Sequence, residues 1–146
     1  QRWKWQYFAA ELLGTFMLTF AICATRGKTD ESPPVGGGTL QVAPVGGLVG
    51  VALVHTFVLS SLAAAFGHIS GGHFNPAVTT AFMVTGEIHF VVGLVYQIMQ
   101  YIGGVLGGLT AWGLIGNTDA AASVLQNGYA GDSGRLFFCE TIATAF

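Results

Sequence analysis

The distribution of charge along the chain restricts its fold more than any other feature of the sequence. No Asp, Glu, Lys or Arg occurs between Glu31 and Glu87, and none occurs between Glu87 and Asp119. Only 8% of all residues are charged, whereas soluble domains carry about 25%. A bilayer can hold such stretches, because about 20 apolar residues span its core as a helix. The sequence therefore predicts an all-α integral membrane protein that crosses the bilayer several times.

The apolar runs and their boundaries predict where the helices lie. Trp5 and Tyr7 begin the first run, as expected of an aromatic belt at a membrane interface. We interpret the whole chain, 1–146, as a single membrane domain. The predicted helices cover 5–26, 44–66, 76–85 and 89–116, and a further helix begins near Arg135.

Residues 67–75 are too polar and too rich in glycine for a lipid-facing helix, and we predict that they are non-helical. Asn75 followed by Pro76 is a strong helix start, because Asn caps a helix and Pro suits its first turn. The apolar segment that follows, 77–84, is too short to span a bilayer. Irregular backbone survives at membrane depth only where protein buries it or where it lines water. The pattern predicts a re-entrant loop followed by a half-membrane helix.

The third long run contains two pairs of glycines, Gly103-Gly104 and Gly107-Gly108, which form two overlapping GxxxG registers. Small residues at this spacing let membrane helices approach closely. We predict that they are contacts between helices.

Two carboxylates, Glu11 and Glu140, lie inside apolar runs. Charge at membrane depth is costly, so each is expected to face the bundle interior and to have a partner. A proton relay is the functional alternative for either residue. The net charge of −2 argues against nucleic acid as a partner. His68 and His73 lack a third ligand at matching spacing, and we predict neither a metal site nor a cofactor.

A longer motif carries a family resemblance. Residues 68–79 read His-Ile-Ser-Gly-Gly-His-Phe-Asn-Pro-Ala-Val-Thr, which closely resembles the first Asn-Pro-Ala loop of aquaporins, the major intrinsic protein family. Residues 10–16, 100–108 and 138–141 resemble the family's first helix, its third helix and the opening of its fourth. The resemblance covers nearly the whole chain, apart from the lengths of two polar loops.

The resemblance implies a right-handed helical bundle made of two inverted repeats. This chain would supply the first repeat, about 5–116, and the start of the second, about 135–146. The second Asn-Pro-Ala box and the arginine that follows it in the family do not occur in the sequence. We therefore expect the second half of the channel to lie outside this chain, as part of a longer protein; a separate partner chain is the alternative.

By the same resemblance, Asn75, Pro76 and Ala77 form the pore motif. A half-helix that begins inside the membrane directs the positive end of its dipole at the pore, and the Asn75 amide offers N–H donors to water. The carbonyl groups of Gly71, Gly72 and His73 would form a line of acceptors. The buried carboxylates would each accept hydrogen bonds from loop backbone.

The resemblance also suggests which residues select the solute. His55 falls at the narrow filter, where a histidine is similar to the tonoplast-type plant aquaporins; a packed helix histidine is the structural alternative. The apolar wall would include Leu18, Leu59 and Val78, although ordinary core or lipid packing also explains them.

The implied function is a passive channel for water and small neutral solutes such as ammonia, urea, glycerol and hydrogen peroxide, not an enzyme. The implied assembly is a homotetramer in a lipid bilayer, and either a vacuolar or a plasma membrane fits. Two other function classes remain open. One is a non-conducting structural or adhesion protein of the same fold, and the other is an ion-coupled secondary transporter with a broken helix.

Overall fold

The computed structural model describes residues 5–25 and 47–115, and within these ranges every regular secondary-structure element is a helix. Three of the four helices are long and apolar enough to cross a membrane. The remaining one has nine residues and a length of about 14 Å, about half of a hydrocarbon core of about 30 Å. The predicted all-α membrane fold is confirmed. The helices are α1 (Trp5–Ala24), α2 (Gly47–Ser70), α3 (Pro76–Val84) and α4 (Phe90–Ile115).

Helices α1 and α4 form the main packing seam of the bundle. A Cβ atom added at Gly103 would overlap the carbonyl oxygen of Leu12, and one added at Gly107 would lie 2.5 Å from the carbonyl oxygen of Phe16. The first GxxxG register therefore brings the two backbones into contact, as predicted. Gly108, in the second register, has open space where a Cβ would stand.

The other two helices each pack mainly against one neighbour. Among the described helices, α2 packs against α1 and reaches α4 only through its last residue, Ser70, whereas α3 packs against α4. Leu62 is buried on the stripe of α2 that faces α1. The Met83 side chain of α3 occupies the space beside Gly93 of α4. Most of the surface of α2 remains exposed, in contrast to the seam between α1 and α4.

One predicted boundary is wrong: α2 continues to Ser70, so residues 67–70 are helical and only the stretch from Gly71 to Asn75 is not. The Ser70 side chain binds Glu11, and its carbonyl oxygen accepts a hydrogen bond from the Tyr96 hydroxyl at 2.9 Å. These tertiary contacts hold the last turn in place despite the unfavourable helix propensity of Gly67. The helix ends where Gly71 adopts a φ of +96°, a conformation typical of a glycine after a helix C-terminus.

The other boundaries agree closely with the sequence. Asn75 and Pro76 open a separate short helix, and α4 covers nearly the predicted range. The predicted start of α2 near Pro44, the helix beginning near Arg135, and Glu140 lie outside the described residues.

Candidate functional site

Glu11 lies at the centre of the bundle with no exposed surface. Its Oε1 atom accepts hydrogen bonds from the Ser70 hydroxyl at 2.6 Å and the His73 N–H at 3.0 Å. Its Oε2 atom accepts from the Phe74 N–H at 2.7 Å and the Gln100 amide at 2.7 Å. Four donors occupy the four acceptor sites of the carboxylate. This glutamate therefore fastens the loop after α2 to both α1 and α4, the contact expected from the sequence.

A second layer of polar side chains extends from Gln100, which is also almost fully buried. Its amide nitrogen donates to the Thr79 hydroxyl at 2.9 Å as well as to Glu11. The Thr79 hydroxyl in turn lies 3.1 Å from the His73 ring nitrogen Nδ1. Together these hydrogen bonds link α1, the loop, α3 and α4. They fix the short helix to the bundle core, and they are worth more in a low dielectric than in water.

The loop backbone adopts conformations that few residues tolerate. Gly71 and Gly72 have φ angles of +96° and +69°, and Phe74 has +45°. Positive φ is accessible to glycine at little cost, whereas a bulky residue needs compensation. Phe74 has its N–H bound to Glu11, and its buried ring lies where a Cβ at Gly14 would stand. Glycine at position 14 of α1 is therefore required for this loop.

The predicted carbonyl ladder has its acceptors available. None of the carbonyl oxygens of Gly71, Gly72 and His73 accepts a hydrogen bond from another residue in the ranges 5–25 and 47–115. A carbonyl oxygen without a protein donor can accept a hydrogen bond from water.

Asn75 begins the half-helix and caps it. Its backbone is extended, and its side-chain Oδ1 accepts a hydrogen bond from the Ala77 N–H at 2.8 Å. Because Oδ1 is the capping atom, the amide nitrogen is the part of the side chain that can donate elsewhere. The side chain is exposed, and within the described part of the chain this nitrogen has no partner.

Asn75 faces a groove of about 360 Å³ between α1, α2 and α4. His55 and Leu18 line the same groove, so the structure brings these predicted residues together with the start of α3. Leu59 and Val78 are exposed and do not line it. The remaining lining residues are Thr15, Thr19, Ile22, Phe74, Pro76, Gln100, Tyr101 and Gly104.

Several residues that build the site were not singled out from the sequence. Gln100 and Tyr96 are polar side chains within a charge-free run, spaced four apart on one face of α4. Their signal is the same as that of Glu11, since a polar group inside an apolar span needs a partner. Ser70 and Thr79 gave no such signal, because hydroxyl groups can bond to their own helix backbone.

Three spanning helices, with a half-helix that starts beside a buried glutamate and faces a groove, define a multi-pass membrane protein built around a re-entrant segment. The whole chain, 1–146, matches the model of one family, described as major intrinsic protein. The chain belongs to the major intrinsic protein family, and the resemblance seen in the motifs is confirmed.

Individual relatives agree with this assignment. The chain is 36% identical over 141 residues to Aquaporin Z of Photorhabdus laumondii, a match that covers 94% of this chain and 57% of the relative. It is 36% identical over 142 residues to Nodulin-26 of Glycine max, covering 97% and 48%. It is 33% identical over 139 residues to Glycerol uptake facilitator protein-like 6 of Lactiplantibacillus plantarum, covering 94% and 57%. The chain spans about half the length of these curated relatives.

Proposed function

We propose that the chain builds one half of a passive membrane channel for water and small neutral solutes. The observation that carries the proposal is the position of Asn75, whose side chain is exposed at the start of a half-helix in a groove shared with His55. Since Oδ1 caps α3, the amide N–H groups are left to donate to a passing water oxygen.

The electrostatics of the groove fit neutral solutes. The N-terminus of α3 carries roughly half a positive charge, which repels cations. The carbonyl oxygens of Gly71, Gly72 and His73 supply acceptors on the approach to Asn75. Leu18, which lines the groove, is proposed as an apolar wall residue, and Leu59 and Val78 as wall residues of the pore outside this groove; an apolar wall keeps solute binding weak enough for rapid exit.

The geometry of Glu11 argues against proton-coupled transport. Its four acceptor sites are all occupied by donors, so no site is free to take up a proton on each transport cycle. The carboxylate is better explained as a fixed structural acceptor, and a passive channel is the simpler function for this site.

The selectivity of the channel is assigned to His55. A histidine in the groove offers one donor and one acceptor in its neutral form, so it can contact ammonia, urea, glycerol or hydrogen peroxide as well as water. The similarity to a relative named as a glycerol uptake facilitator supports a solute range beyond water.

The complete channel needs more than this chain. We propose that a second half-helix, from residues outside 1–146, meets Asn75 across the groove, because the relatives are about twice as long. We further propose a homotetramer in which each protomer has its own pore, with exposed apolar side chains such as Phe57 covered by lipid or by a second copy.

Stopped-flow light scattering on vesicles that contain the full-length protein tests the function. Water permeability should exceed that of empty vesicles and should not depend on a proton or sodium gradient. Asn75→Asp keeps the capping oxygen but removes the amide donors and adds a negative charge, so it should lower permeability without unfolding the protein. Permeability equal to that of empty vesicles would favour a structural protein, and gradient-dependent uptake would favour a transporter.

A further inference from the structure

Gln97 makes contacts with the half-helix that none of the roles above require. It lies on α4 three residues before Gln100 and is half-buried on the side that faces α3. Its amide nitrogen donates to the Thr80 hydroxyl at 2.7 Å and to the Pro76 carbonyl oxygen at 3.2 Å. Helix α4 therefore reaches consecutive threonines of α3 through two glutamines, one fully buried and one at the edge.

The chemistry of the partners fixes the orientation of this amide. The Pro76 carbonyl can only accept a hydrogen bond, so the nitrogen of Gln97 must face it rather than the oxygen. The Thr80 hydroxyl donates its single proton to the same carbonyl at 2.8 Å, which leaves its lone pairs free to accept from Gln97. The three groups form a closed set in which each donor has an acceptor.

The position of Gln97 in the bundle makes this arrangement informative. Its neighbours on α4 include the exposed apolar residues Leu94 and Ile98, as expected of a helix in a bilayer. Polar side chains inside a membrane are costly, and they are commonly paired and functional. Packing alone would favour an apolar residue here, so the amide is explained by its bonds to the start of α3.

We propose that Gln97 is a positioning residue that fixes where the half-helix begins and therefore where Asn75 stands in the groove. This proposal rests on the channel function proposed above. Among the described helices, α3 packs only against α4, so contacts with α4 set its position. Glu11 holds the backbone just before Asn75, and Gln97 holds the carbonyl of the residue just after it.

We call the hydrogen bonds from Gln97 to the Thr80 hydroxyl and the Pro76 carbonyl the clamp. Loss of the clamp should affect solute selectivity more than the fold. Without the amide, α3 can shift along α4, and Asn75 moves relative to the opposite wall. Solutes larger than water depend most on the width at that point. We expect the ratio of glycerol to water permeability to change about five-fold in Gln97→Leu, the factor that corresponds to one ordinary hydrogen bond.

The test uses four single variants and one double variant of the full-length protein in vesicles, with water and glycerol gradients. Gln97→Leu removes the amide, and Thr80→Val removes the hydroxyl that it binds. Thr80→Ser keeps the hydroxyl and should retain the ratio of the unmodified protein. Gln6→Leu, at an exposed position near the start of α1, makes the same chemical change without a clamp and should also leave the ratio unchanged.

A clamp predicts that Gln97→Leu and Thr80→Val change the ratio alike, and that the double variant changes it no further. The proposal is overturned if Gln97→Leu behaves like Gln6→Leu, or if the effects of the two substitutions simply add. If the unmodified protein conducts nothing, the channel function fails, and the clamp is tested instead by the rate at which a thiol reagent labels position 77 in an Ala77→Cys background. That rate should change in Gln97→Leu and stay constant in Gln6→Leu; equal rates would overturn the clamp on their own.

Discussion

The seam between α1 and α4 differs from helix α2 in how much of its surface is buried within the chain. In the spanning parts of α1 and α4, 28% of the residues are buried within the chain, compared with 6% in α2. The seam contains Glu11 and Gln100, two of the largest fully buried side chains. By contrast, α2 is apolar over most of its surface and packs mainly against α1.

The difference indicates that the seam determines the fold, whereas α2 is available for transport. The seam has contacts within the chain that specify one arrangement, because the buried Glu11 and Gln100 bind each other across it and each needs its partner. Helix α2 has few such constraints, so its exposed positions are free to contact lipid, solute or the rest of the protein. Substitutions in the seam should therefore act on stability, whereas substitutions of the side chains that α2 directs into the groove should act on transport.

The largest effect is expected for Glu11→Gln. The substitution replaces one acceptor oxygen by an NH₂ group, so the two donors bound to that oxygen lose their partner. Each unsatisfied buried group costs about 1–3 kcal/mol, and we expect a loss of about 3 kcal/mol in the free energy of unfolding. The loss is measured as a lower melting temperature of the detergent-solubilised protein, with size-exclusion chromatography used to detect the fraction that stays folded after heating. Glu87→Gln, the same change in an exposed turn, is the control. Equal melting of the two variants would contradict the structural role of Glu11.

A smaller loss is expected for Gly103→Ala. The added methyl group would overlap the Leu12 carbonyl oxygen, and overpacking of this kind costs about 1–3 kcal/mol. Gly108→Ala is the matched control, because its Cβ would stand in open space. In the same assay, Gly103→Ala should have a lower melting temperature than Gly108→Ala. A reversed order would mean that the second GxxxG register, and not the first, forms the seam.

Two glycines near the C-terminal end of α2 are expected to change stability in opposite directions when replaced by alanine. Gly71 has a φ of +96°, so alanine there should cost about 1–2 kcal/mol. Gly67 lies within α2 with nothing near its Cβ position, so alanine there should stabilise the helix by about 1 kcal/mol. Melting temperatures of the two variants test the position where α2 ends. If Gly67→Ala destabilises the protein, residue 67 does not behave as a helical position.

The sequence predicts the helices well and the polar contacts less well, for physical reasons. Charge-free runs are set by the bilayer, which acts on each helix separately, so their number and approximate limits can be read from one chain. The end of α2 was misplaced because Gly67 and Ser70 resemble loop residues, whereas the bonds from Ser70 to Glu11 and Tyr96 are tertiary. Likewise, the partner of Glu11 on α4 could be any polar residue, and only the packed structure selects Gln100.

The lining of the groove also cannot be predicted from sequence patterns alone. The lining residues come from all four helices and the loop, so no periodicity along the chain reveals them. Family resemblance suggested His55 and Leu18, which do meet there, together with Leu59 and Val78, which do not line it. Resemblance thus identifies residues through their place in a related chain, while composition and spacing identify the helices that carry them.

The smallest effect on stability is expected for His55→Phe. This substitution also tests directly whether α2 acts on transport rather than on the fold. His55 is exposed on α2, and substitutions at exposed sites usually change stability by no more than about 0.5 kcal/mol. Phenylalanine removes both hydrogen-bonding nitrogens and adds apolar surface to the groove. We therefore expect unchanged melting but a narrower solute range, with the ratios of urea and ammonia to water permeability reduced. Stopped-flow measurements with the three solutes check this, with Phe57→Leu, an exposed site outside the groove lining, as the control. If His55→Phe instead lowers the melting temperature and leaves the ratios unchanged, His55 is a packed helix residue, and α2 contributes to the fold rather than to selection.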